Sequence, residues 1–239
     1  MFTFRAGKLE SKKNEVSVSI ISSELVYKAL FTAPQFAWLE QIPQLYETVE
    51  HAFAQCALEL TEIKCEEGLH DPAKFAVIGR STQAAITVKI MLYGTQVFWN
   101  SSSSFAPAKS AEIGQLLAEA LFKYSPGLEF KLQAVTWAGH IECQDSSPQN
   151  ILAQFASAPR GLPEAEATGV SFSLEPTAQR LSTAVSVQPS LSISGGLYAR
   201  FDFNWSGKLS PTEVGTRTGE EVMRVLQSMT LKVGERAVS

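Results

Sequence analysis

Charge is scarce in this chain. Asp, Glu, Lys and Arg make up 18% of its 239 residues, where about a quarter is usual for a soluble protein, and the deficit implies that large surfaces are covered. Nor is there a basic excess: 20 Lys and Arg against 24 Asp and Glu leave a net charge of -4, with a pI near 5.5. That balance excludes the concentrated cationic face on which nucleic-acid binding rests. Arg5, Lys8, Lys12 and Lys13 are interrupted by Glu10 and Glu15, so they read as a solvated segment and not as phosphate contacts. Cysteine is confined to Cys56, Cys65 and Cys143, an odd number without regular spacing, which excludes a secreted disulfide framework and points to a reducing compartment. No apolar run approaches the roughly twenty residues that a bilayer demands. The opening MFTFRAGKLESKKNE is polar from its fifth residue, unlike a leader with an apolar stretch before a small-residue cleavage site. A cytoplasmic protein with no membrane and no nucleic-acid partner is expected. Asn100-Ser101-Ser102 and Asn204-Trp205-Ser206 have the sequon pattern, but without a secretory signal they read as strand-end turns.

Motifs of chemistry are missing as well. The sequence has no G-x-S-x-G elbow, no phosphate loop, no H-E-x-x-H and no G-x-G-x-x-G, each of which would bring its own mechanism. The serine run Ser101 to Ser104 has no histidine nearby to act as its base. For a metal, the local candidates are Cys65 with His70, and His140 with Glu142 and Cys143. On a strand His140 and Glu142 share one face while Cys143 takes the other, so neither a metal nor another cofactor is expected. His140 and Glu142 are still the best-placed pair for general acid–base work, since a histidine titrates near neutrality and a carboxylate can orient it. The competing reading is an exposed pair on a sheet, and no catalytic residue is assigned. The aromatics Phe98, Trp99, Phe201, Phe203 and Trp205 could stack on bases, but with so few interleaved cations they are assigned to core packing.

What the sequence does contain is a similarity to itself. LSISGGLYARFDFNWSGKLSPTEVGTRTGEEVMRVL, from Leu191 to Leu226, aligns without a gap on Ile86 to Leu121. Leu92 meets Leu197, Tyr93 meets Tyr198, Phe98 meets Phe203, Ser101 meets Ser206, Gly114 meets Gly219 and Leu121 meets Leu226. Self-similarity at a fixed offset is the first thing to seek in a chain. In each segment an alternating stretch precedes a helical stripe. Leu197, Ala199, Phe201, Phe203 and Trp205 alternate with Tyr198, Arg200, Asp202 and Asn204, the two-residue period of a half-buried strand. Ser110 and Thr218 are the expected helix starts, with Thr218 and Glu221 as a capping box.

Elsewhere, strands are expected at Val16 to Ile21, Ala57 to Cys65, Lys74 to Arg80, Phe130 to Cys143, Val170 to Leu174 and Leu181 to Val187, and a short one at Phe2–Phe4. Ala84 to Asn100 reads as paired strands broken near Gly94, Phe130 to Cys143 changes phase near Ala134 as a bulge would cause, and Gly195-Gly196 marks a bend. Pro43 and Pro148 each precede an apolar helical stripe.

The fold class expected is α+β: an internal duplication of strand, helix, antiparallel strands and helix, with halves at 1–126 and 127–239, an antiparallel sheet and helices on one face. This layout resembles in outline that of TATA-binding-protein-like and helix-grip folds. No motif specific to either family occurs, so the resemblance carries no function. A non-enzymatic binding or assembly protein is expected, using a sheet face or edge to hold a protein partner or a second copy. The binding residues assigned are Tyr198, Arg200, Asp202 and Asn204, with His140 and Glu142. The alternative is a module enclosing a small apolar ligand between sheet and helix; an enzyme stands third.

Overall fold

Residues 16–31 alternate between apolar inward and mixed outward positions for longer than any other stretch, and they form the strand on which the sheet is assembled. In the computed structural model, which describes residues 16–66, 74–101, 119–120, 122–123, 127–144, 146–155 and 169–233, this strand is β1 (Val16–Phe31). Val16, Val18 and Ile20 are buried at its start, and Leu25, Tyr27, Ala29 and Phe31 beyond. The buried set thus changes from even to odd numbers, because the pairing with β6 (Phe130–Cys143) skips a residue between Ile20 and Ser22. The extra residue of a bulge turns the rest of a strand over. The phase change expected at Ala134 in β6 is therefore found in β1: β6 keeps an unbroken register with its other neighbour from Leu132 to Glu142.

The remaining strands are β2 (Glu62–Glu66), β3 (Ala76–Ser81), β4 (Ile86–Met91), β5 (Gly94–Ser101), β7 (Val170–Ser173), β8 (Arg180–Pro189), β9 (Gly196–Ser206) and β10 (Leu231–Val233). They form one ten-stranded sheet in the order β2-β3-β4-β5-β1-β6-β9-β8-β7, with β10 paired to β1. That last pairing, Val16–Val18 on Leu231–Val233, is parallel; the other ladders are antiparallel. A 3-10 helix (Phe36–Glu40) leads into α1 (Ile42–Gln55), with Pro43 in its first turn. Two further α-helices are α2 (Pro148–Ala153), capped by Ser147, and α3 (Pro211–Ser228).

The helices cover one face. Gly79 on β3 lets α1 come close: a Cβ there would lie 2.4 Å from Cγ1 of Val49. On α3 the buried Val214, Val222, Val225 and Leu226 recur at the three–four spacing of an amphipathic stripe. Beneath them the register aligns Leu25, Trp137 and Phe201 in one row and Tyr27, Val135 and Phe203 in the next. One polar chain crosses this core. The Tyr27 hydroxyl donates to Oε1 of Gln133 at 2.7 Å, and Nε2 of Gln133 donates to the Leu209 carbonyl at 2.6 Å. Burial, aided by the carboxylate of Glu119, pushes the Tyr27 phenol far above its ordinary range, so it acts as a fixed donor.

An α+β fold of two duplicated strand–helix halves is not what forms. Strands take 47% of the described residues, mostly as antiparallel sheet, and the two aligned segments differ in kind. Leu92 and Tyr93 turn the hairpin between β4 and β5, whereas their counterparts Leu197 and Tyr198 lie inside the single strand β9. The counterpart of β4 is a loop that ends at Gly195, with φ 73°. The difference is physical: Gly94 sits so close to β1 that a Cβ would be 2.3 Å from the carbonyl oxygen of Ala29, which fixes a corner there. Its counterpart Ala199 is an ordinary strand residue. Gly94→Ala is therefore expected to lower stability by roughly 1–3 kcal/mol, the usual range for overpacking, readable as a lowered denaturation midpoint.

The helix start expected at Thr218 also moves. α3 is capped by Ser210, whose side chain accepts from the Glu213 amide while Glu213 returns a bond to the Ser210 amide. Thr218 is a buried mid-helix residue: its hydroxyl donates to Val214 O at 2.7 Å and accepts from Nε1 of Trp205 at 3.1 Å. The expected strand at Phe2–Phe4, the helix start at Ser110 and the positions Gly114 and Leu121 lie outside the described residues.

Candidate functional site on the outer sheet face

Burial of Leu197, Ala199, Phe201, Phe203 and Trp205 leaves Tyr198, Arg200, Asp202 and Asn204 on the opposite face, away from the helices. β6 places His140 beside Tyr198, Ala138 beside Arg200, Thr136 beside Asp202 and Ala134 beside Asn204. Two small neighbours, Ala134 and Ala138, leave room for long polar side chains to lie along the sheet. Arg200 uses that room. Its Nε donates to Oδ2 of Asp202 at 2.9 Å and its Nη2 to Oδ1 at 3.0 Å, a forked geometry that orients both groups. Thr136 adds a donor to Oδ1 of Asp202 at 2.6 Å, and Nδ2 of Asn204 donates to the Ser182 hydroxyl at 2.8 Å.

The titration of these groups follows from the contacts. Burial pushes the Asp202 carboxyl up, but the hydrogen bonds from Arg200 and Thr136 and the guanidinium charge outweigh it and hold the group below its ordinary value. The hydrogen bond to Asp202, together with its charge, raises Arg200. A carboxyl depressed by folding contributes stability above its unfolded pKa, about 3.9, and that contribution disappears as pH falls through the folded value. The Arg200–Asp202 fork thus persists through neutral and weakly acid conditions. Tyr198 is raised, chiefly by burial and next by the carboxylate of Glu24, so it presents a protonated hydroxyl at neutral pH.

His140 and Glu142 occupy the same face, but no hydrogen bond joins them among the described residues. Nδ1 of His140 lies 2.9 Å from the Ser190 hydroxyl, and the imidazole packs on the ring of Tyr198 at a centroid distance of 5.0 Å. Ser190 already accepts from the amides of Ser192 at 3.1 Å and Ile193 at 3.0 Å. Its lone pairs are therefore occupied, which leaves its own hydroxyl proton to bridge to Nδ1. This arrangement closes a turn before β9. Cys143 lies on the inner side, where burial first and Glu142 second push its thiol up to about 11. His70 is outside the described residues, and among those described no cluster of His, Cys, Asp and Glu could hold a metal ion.

Pairing partners such as Thr136, Ser182 and Ser190 are absent from the sequence reading because their signal is the strand register, which a single sequence does not carry. Between sheet and helix, a gap beside Phe31, Trp38, Leu45 and Phe122 has about 10 Å³ of space, room for no more than a water. A mixed polar cleft of about 410 Å³ lies by Cys56, Glu119, Lys123 and Pro211. Among the described residues no helix is long and apolar enough to cross a membrane. No model of a known protein family matches the sequence, and no curated protein aligns with it significantly.

Proposed function

We propose that this is a non-enzymatic binding protein that holds a protein partner, a second copy of itself included, on the outer face of its sheet. The observation that carries this reading is the face itself: no described helix packs on it, and it presents Tyr198, Arg200, Asp202 and Asn204 in fixed orientations. Preorganised groups lose less freedom on association, and arginine and tyrosine are enriched among the residues that dominate interface energies. None of the three cysteines is joined in a disulfide, which fits a reducing, cytoplasmic setting.

Both Arg200 and Asp202 keep at least 40% of their side-chain surface in solvent, and an exposed ion pair adds only about 0–1 kcal/mol. The double variant Arg200→Ala/Asp202→Ala is thus expected to melt within a few degrees of the parent while losing self-association or partner capture. Light scattering and a pull-down read against the melting curve check this. Unchanged association would remove this face from the interface, and a large loss of stability would show that the face is covered.

A further inference from the structure

The outer face is not uniformly charged, and the distribution has a pattern. Toward one edge Lys64 and Lys89 pair with Glu66, and Arg80 pairs with Glu62; toward the other Arg200 pairs with Asp202. On the central strand β1, however, Glu24, Val26 and Lys28 follow one another on this face, and neither Glu24 nor Lys28 has an ion pair among the described residues. Glu24 is within electrostatic reach of Arg200 and Tyr198 without bonding to either. These two charges, neither held in an ion pair among the described residues, have opposite sign and stand two residues to either side of Val26, about 7 Å each along the strand.

This arrangement is complementary to itself. If two copies pack face to face about a two-fold axis in the plane between them, perpendicular to β1 and passing over Val26, each Lys28 lies over Glu24 of the other copy. Such an isologous arrangement uses one patch twice. The neighbouring rows agree. Phe98, in register with Val26 on β5, meets its own symmetry mate. Ala134, in register with Lys28, lies over the row of Ala138, in register with Glu24, where Ala138 is already covered within its own chain. Asn204 meets Arg200. Asp202 meets its own mate, each already neutralised by Arg200. Strands β4, β5, β1, β6, β9 and β8, spaced about 4.8 Å apart and covered over about 27 Å of length, offer roughly 750 Å² per copy, close to the ~800 Å² per partner of a standard interface. A crossing of about 30° between packed twisted sheets turns the axis about 15° from the perpendicular to β1 and keeps the long Lys28 side chain within reach of Glu24.

We infer that the partner of the outer face is a second copy of this chain, in a two-fold face-to-face dimer centred on Val26 and cross-linked by reciprocal Lys28–Glu24 ion pairs. The inference rests on the reading of this face as the binding surface and narrows its occupant.

Charge reversal tests it. In Glu24→Lys every cross pair sets lysine against lysine, and in Lys28→Glu glutamate against glutamate, so each variant is expected to dimerise at least about tenfold more weakly than the parent, since facing like charges suppress wrong pairings. Mixing the two variants restores both pairs and is expected to give a heterodimer by native mass spectrometry. The doubly reversed chain Glu24→Lys/Lys28→Glu is expected to regain the homodimer. These restorations also show that neither single variant has merely failed to fold. A parent chain monomeric at all accessible concentrations would overturn the second copy as occupant, and would leave partner capture through Arg200 and Asp202 to be judged by its own experiment. Single variants that dimerise like the parent, or a mixture that stays monomeric, would overturn the axis.

Discussion

Phe203→Ala is expected to cost about 3–5 kcal/mol, the range for truncating a buried phenylalanine, and so to remove a large part of the 5–15 kcal/mol that holds a typical domain folded. Phe203 is 1% exposed. It is stacked between Phe201 and Trp205, with centroids at 6.2 and 5.8 Å and planes within 8° and 19° of parallel. Alanine would open a cavity at the centre of this stack, between Val135 on β6 and Thr183 on β8. Backbone on both sides is held by continuous ladders, so little collapse can fill it. Chemical denaturation checks the size of the effect. A cost below about 1 kcal/mol would mean that the stack can close over the gap.

Glu221→Ala comes second, at about 3 kcal/mol, the lower end of the range for removing one partner of a buried ion pair. Arg180 keeps only 8% of its side-chain surface in solvent and meets Oε1 of Glu221 at 2.8 Å. It also donates to the Glu175 carbonyl at 2.7 Å, while its Nε has no partner. Removing the carboxylate therefore leaves a buried guanidinium with one remaining acceptor, and β8 comes apart from α3 there. Glu221 also binds Arg224, but that side chain is 57% exposed, so Arg224→Ala should cost under about 1 kcal/mol. Denaturation of the two variants side by side separates a buried charge left unmatched from an exposed pair of ordinary weight.

The inward and outward sets of β9 are legible in the sequence because a strand's period is two and the apolar residues from Leu197 to Trp205 obey it without exception. The ends of β6, the turn at Gly195 and the helix-starting role of Pro43 and Pro148 are legible for similar local reasons. β1 is only half legible: the bulge at Ile21, the residue skipped between Ile20 and Ser22, moves the apolar set to the other parity, so that a continuous strand looks like one that stops there. Pattern alone also aligns a hairpin with a single strand, since alternation is the same whether a stretch runs straight or turns back in the middle. What separates them is the approach of Gly94 to Ala29, a contact between distant segments. The outer face is open to reading at β9, but Glu24 and Lys28 become neighbours of that face only through the β1–β6 register.

The pairing of β10 with the start of β1 gives the chain a particular order of events during synthesis. β1 is the earliest strand described, and its first three residues find their ladder partners only at Leu231–Val233. Until those residues have left the ribosome, the backbone amides and carbonyls on that side of Val16–Val18 have only water or a chaperone to bond to. Contacts between such remote parts of a chain make folding slow, and an unpaired strand edge is where premature association begins. The edge of β1 at Val16–Val18 is therefore closed only after Leu231–Val233 have been made, and a ribosome stalled before residue 231 should hold a nascent chain more sensitive to protease at residues 16–18 than one released after 233.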